Sequence, residues 1–201
     1  GEEGEEGFSI DDVDHTKFIR NESIDNFRDG FRTERATHNL FKKNLAKKKG
    51  QDSFDFHDEP DGNKLVRNTA MANGDEENEE SGENGFEFEP GSINNTLIRN
   101  LAIKNFDDVF KIEFEQFTTT ATRSPDGFTT GQVDYLLKSN IAVRHGDEGF
   151  DIDDPNSKLV GNIAKGNQDW GFYAQNGSLG FGNVALANGD PCFMVSCFGG
   201  L

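Results

Sequence analysis

The sequence predicts an all-β solenoid of about seven stacked coils, and three observations carry that prediction. A short motif recurs about every 21 to 24 residues, apolar residues inside each copy alternate with a period of two, and no stretch carries the apolar stripe of a helix. A unit this short cannot bury its own apolar face, so neighbouring units must stack.

The motif is anchored by an Asn two residues before a small residue, at Asn21/Ser23, Asn44/Ala46, Asn68/Ala70, Asn100/Ala102, Asn140/Ala142, Asn162/Ala164 and Asn183/Ala185. Three residues before the Asn stand Phe18, Phe41, Leu65, Leu97, Leu137 and Leu159, with Gly180 the exception. Ten residues after it stand Phe31, Phe54, Phe110, Phe150, Phe172 and Phe193, while Phe86 follows Asn68 by eighteen because residues are inserted there. Two residues after each Phe an apolar residue usually recurs, as at Phe56, Phe88, Ile112, Ile152, Ala174 and Val195, with Thr33 breaking the pattern. Gly, Asn and Asp fill the positions between, which reads as short strands joined by tight turns. Stacking such units places the Phe rings above one another at about 4.8 Å and lets the Asn amides form a ladder. Residues 1–14 read as an acidic lead-in or N-terminal cap, residues 15–201 as the repeat array, and residues at about 114–134 as an insertion leaving the end of one strand.

Composition narrows the function classes. Asp and Glu number 37 against 20 Lys and Arg, for a formal charge of -17, which speaks against nucleic acid as a partner because no net positive field exists to release counterions. Mean hydropathy is -0.73, yet Phe, Leu, Ile and Val make 48 of the 201 residues, above the roughly 20% below which disorder is expected. No apolar run approaches the roughly 20 residues of a membrane span, so no membrane insertion is expected. Cys192 and Cys197 could close a small loop or remain buried thiols.

Phrases such as Asn162-Ile163-Ala164-Lys165-Gly166-Asn167 followed by Gly171-Phe172, and Asn140-Ile141-Ala142 followed by Gly149-Phe150-Asp151-Ile152, resemble the right-handed parallel β-helix proteins. The resemblance is to the Asn-rich repeat type found among carbohydrate-binding proteins and sugar hydrolases, over roughly residues 15 to 201. It implies a single-stranded right-handed parallel β-helix, extracellular or on the cell surface. That repeat serves enzymes, adhesins and structural proteins alike, so it does not choose among them.

Candidate function therefore rests on the outward positions. Residues one and three after each Phe form a stripe on one face: Arg32/Glu34, Asp55/His57, Glu87/Glu89, Lys111/Glu113, Asp151/Asp153 and Tyr173/Gln175. Carboxylates stacked at about 4.8 Å would raise one another's pKa, pair with Lys111, or bind a hard cation. Calcium held by Glu89, Glu113, Asp151 and Asp153 is the sharper expectation, and a solvated acidic face the plainer one. Phe54-Asp55-Phe56-His57-Asp58 resembles the Asp-x-His element of mannuronan epimerases, which implies catalytic roles for Asp55 and His57 beside Lys111. Phe56 stands where that family usually has Pro. Arg32, Glu87, Tyr173 and Trp170 would then contact a polysaccharide substrate.

A second row, Arg20, Lys43, Arg67 and Arg99, precedes the Asn and continues as Ser139, Gly161 and Gly182. Four cations in register could bind a polyanion or pair with the acidic excess, and pairing is the expectation. His15 and His38 fall at turn positions, which makes zinc there improbable. The sequence thus points to a structural or polysaccharide-binding module without catalysis. A cation-assisted lyase or epimerase is the alternative, and end-to-end self-association through open coil ends a third reading.

Overall fold

In the computed structural model, residues 6–47, 50–72, 84–89, 92–105, 110–112, 135–153, 157–174, 178–193 and 196–200 are described. They form 23 strands in three sheets of eight, seven and eight strands, every pairing parallel. Each strand pairs with its equivalent one coil away, so the chain winds as a parallel β-helix of about seven coils. Glu113 and the expected insertion at about 114–134 lie outside the described residues. The first strand, Phe8–Asp11, already pairs with Phe31–Glu34, so sheet structure begins within residues 1–14.

Four columns fill the interior, one of them Ile10, Thr33, Phe56, Phe88, Ile112, Ile152 and Ala174. Phe8, Phe31, Phe54, Phe86, Phe110, Phe150 and Phe172 stack with centroid spacings of 4.6 to 5.0 Å and planes within 9° of parallel. Phe31 and those after it are fully buried. A buried Phe contributes roughly 1.5–3 kcal/mol, which makes this column the principal apolar support of the helix. Phe41, Leu65, Leu97, Leu137 and Leu159 form the second column, and Ala46, Ala70, Ala102, Ala142, Ala164 and Ala185 the third. The small third column leaves room for the Phe rings. The last coil departs from the motif: Phe172 pairs with Cys192, and Phe193 lies opposite Tyr173 on the outside. Cys192 comes four positions after Asn188 where Phe172 comes five after Asn167, so the shorter turn shifts the register by one.

Amide ladders satisfy the buried corners. In each coil the Asn of the motif accepts through Oδ1 from the backbone N–H of its predecessor, at 2.9 to 3.0 Å from Asn21 through Asn183. Its Nδ2 donates to a carbonyl of the coil before, as Asn100 does to Leu65 at 3.0 Å. Two further ladders, not singled out in the sequence, run through Asn39, Asn63 and Asn95 and through Asn105, His145, Asn167 and Asn188. His145 takes an Asn position by mimicry: Nδ1 accepts from the Asn105 N–H at 3.2 Å and Nε2 donates to the Ala102 carbonyl at 3.2 Å. That pairing fixes a neutral ring, and burial pushes its pKa down to about 4. Glycine before the Phe is required where this corner closes, because a Cβ at Gly149 would sit 2.5 Å from Asn167 Nδ2.

Candidate functional site

Two long faces offer chemistry. The first is the outer face of the Phe-bearing sheet, where register places Arg32, Asp55, Glu87, Lys111, Asp151 and Tyr173 side by side on successive strands. Asp55 and His57 come from the strand Phe54–His57, and alternation turns both outward. They are in direct contact: His57 Nε2 meets Asp55 Oδ2, and His57 Nδ1 lies 2.5 Å from Glu89 Oε1. Burial lowers the His57 pKa, but the two carboxylates outweigh it and hold the ring up at about 9. His57 is therefore an imidazolium at neutral pH with both nitrogens occupied.

The other predicted residues of this face are also engaged. Lys111 Nζ lies 3.5 Å from Glu87, which also accepts from Asn84 Nδ2 at 3.0 Å. Arg32 pairs with Glu34 at 3.1 Å and reaches Glu6 at 3.7 Å. Tyr173 stacks on Phe193 at 5.0 Å, and Trp170 lies tilted against the same ring at 5.6 Å. Glu89, Asp151 and Asp153 are half-buried on this face. Asp151 and Glu87 are kept apart by Lys111, which sits between them in register.

Beneath the row lies a feature absent from the sequence reading. Asp29, Asp52 and Asn84, each two residues before a Phe, form a fourth ladder: Asp29 Oδ1 accepts from the Asp52 N–H at 3.0 Å, and Asp52 Oδ1 from the Asn84 N–H. Asp29, Asp52 and Asp55 are all buried, with ligand atoms within 4.8 Å of one another. Burial raises the pKa of each, Asp29 to about 7. The recurrence of a carboxylate or amide two before Phe31, Phe54 and Phe86 was the signal in the sequence that could have shown it.

The second face is the corner carrying Arg20, Lys43, Arg67 and Arg99. All four are exposed, and among the described residues no carboxylate lies within ion-pair distance of them, contrary to the pairing expected. The backbone explains it: each sits at positive φ, 59°, 59°, 58° and 57°, which turns the side chain out of the corner into solvent. No protein-family model, curated protein or solved structure matches the chain. The charge of this face extends beyond the four. The two strands and the corner of the second to seventh coils, residues 39–47, 63–72, 95–105, 135–145, 157–167 and 178–188, hold eleven Lys and Arg and no Asp or Glu. The net charge of -17 thus averages an acidic face and a basic one. His15 and His38, at φ 53° each, are turn residues stacked at 5.0 Å and sharing Asp14.

Proposed function

We propose that the chain is an extracellular, non-catalytic polysaccharide-binding β-helix module, and that its ligand is an anionic polysaccharide lying along the basic corner. The observation that carries this reading is the row Arg20, Lys43, Arg67 and Arg99, unpaired among the described residues and repeated at the strand spacing beside described strands that hold no carboxylate beyond the first coil. A linear polymer of regularly spaced carboxylates or sulfates presents the complementary charge. The backbone adds an argument. A side chain at positive φ costs about 1 kcal/mol or more against glycine, and the sixth and seventh coils use Gly161 and Gly182 at this position. Positive φ recurs at the next corner, at Ala72, Lys104 and Ala187, so the conformation belongs to the fold, and what a ligand explains is the choice of Arg and Lys at a position where Ser139, Gly161 and Gly182 also stand. The outward residues beside them are mainly Leu, Ile, Val, Thr and Lys, with Phe181 the one exposed aromatic among the described strands of this face, so they offer no row of stacking platforms for the bases of a single-stranded nucleic acid.

The opposite face supports the absence of catalysis. A general base needs a free lone pair near neutral pH, and His57 is protonated and clasped by Asp55 and Glu89. The bond between Cys192 and Cys197 favours an oxidising compartment.

Affinity electrophoresis tests the reading. Gels cast with dextran sulfate or polygalacturonate should retard the protein relative to gels with neutral dextran, with retardation falling as salt rises. The polymers should keep their length on long incubation. Equal mobility in all three gels would sink the binding claim, and shortened or unsaturated polymer would restore the enzyme reading.

A further inference from the structure

The buried carboxylates under the acidic face have not been given a role by the polysaccharide reading, and they lie on a different face. Asp55 divides its carboxylate: Oδ2 is held by His57, while Oδ1 is buried without a hydrogen-bond donor among the described residues. Asp55 is 3% exposed. One rung along the ladder, the side-chain oxygen of Asn84 is likewise buried without a donor, although its Nδ2 and backbone N–H are both used. His57 meets only Oδ2 of Asp55, and among the described residues no cation contacts Asp29 or Asp52, so two donor-less oxygens lie beside two further buried carboxylates. Arg32 also acts on Asp55 and Asp29 through its charge, but the ion pairs it forms are with Glu34 and Glu6. Unsatisfied buried oxygens carry a large desolvation cost unless something binds them.

We propose that Asp29, Asp52 and Asp55 bind a hard divalent cation, with Asn84 Oδ1 as a neutral oxygen one rung away. Oxygens that surround calcium at about 2.3–2.6 Å lie up to about 5 Å from one another, and the three carboxylates supply ligand atoms within 4.8 Å. All the donors are oxygen, which suits calcium or magnesium over zinc or copper. The site differs from the outer stripe of Glu89, Asp151 and Asp153, where calcium was expected from sequence, because its ligands are buried and converge.

Equilibrium dialysis of the full chain against radioactive calcium at pH 8, after removal of metals with EDTA, reads the proposal directly. About one calcium per chain is expected, with a melting temperature about 5 °C higher in millimolar calcium. Asp55→Asn and Asp52→Asn should abolish both. Asn84 occupies the same ladder as Asp52, so an amide is accommodated there and Asp52→Asn should fold, while Asp55→Asn keeps the size of a side chain on the neighbouring strand. Asp151→Asn and Asp153→Asn should keep full binding. No calcium or magnesium bound by the wild type would overturn the proposal and leave protons as the occupants. Binding lost with Asp151→Asn or Asp153→Asn but kept by Asp55→Asn would overturn it equally, moving the ion to the outer stripe. Because these residues lie away from the basic corner, a failure here leaves polysaccharide retention unaffected.

Discussion

The basic corner and the acidic face pose the same physical problem, like charges recurring once per coil at about 4.8 Å, and solve it in different ways. On the acidic face the charges are consumed internally: Lys111 interrupts the carboxylates in register, and His57 is closed between Asp55 and Glu89. On the basic corner, positive φ turns Arg20, Lys43, Arg67 and Arg99 into solvent, where water screens them and none is paired among the described residues. The lesson is that formal charge on a solenoid is a property of each face. A face whose charges are paired is structural until an unsatisfied atom shows otherwise, whereas a face of unpaired, strained cations is available to a ligand.

Four perturbations and one control break or sharpen this contrast. The largest effect is expected beneath the basic corner, where Asn100 accepts from Asn68 and donates to Leu65 and Asn140. Asn100→Ala orphans several buried groups and should cost about 4 kcal/mol in urea unfolding. The next effect is pH-dependent and belongs to the neighbouring ladder. His145 is held neutral in the fold at about 4 against an ordinary value of 6.5. The unfolded chain therefore binds the extra proton between those values. Its contribution is complete above pH 6.5 and is lost as pH falls toward 4, amounting to about 3 kcal/mol. The part of the acid unfolding profile between pH 6.5 and 4 should flatten in His145→Asn, since Asn fills the equivalent rung in the adjoining coils.

On the corner itself, Lys43→Gln, Arg67→Gln and Arg99→Gln combined should weaken retention by a sulfated polymer roughly 100-fold at low salt, with melting unchanged. The smallest effect separates function from stability at one residue: Arg67→Gly relieves the positive φ of 58° and should raise stability by about 1 kcal/mol while reducing binding. A matching surface control is Arg35→Gln, which removes exposed pairs with Asp12 and Asp58 and should leave the melting temperature unchanged.

Most of the fold was legible because it repeats. Asn21 through Asn183, Phe31 through Phe172 and the inward Leu and Ala columns all recur at fixed offsets, and each offset proved to be one column or ladder. Phe193 was misplaced because one residue is missing from its turn, and register depends on turn length rather than residue type. The outer stripe was legible as an order of residues but not as a site. Alternation says which side chains face out, and pairing such as Asp55 with His57 and Glu89 depends on side-chain geometry across coils. The Asp29, Asp52 and Asn84 ladder was hidden because its residues read as turn formers. The unpaired state of Arg20, Lys43, Arg67 and Arg99 depends on φ, which sequence shows only where glycine appears.

The measurement that bears most directly on the central claim is the salt dependence of dextran sulfate binding by the wild type, by the Lys43, Arg67 and Arg99 triple Gln variant, and by a Glu87→Gln, Asp151→Asn, Asp153→Asn variant. The account predicts a steep loss of affinity with salt in the wild type, a weaker and much flatter response in the triple Gln variant, and wild-type or tighter binding in the acidic-face variant. Equal binding and equal salt slopes in the wild type and the triple Gln variant would contradict it.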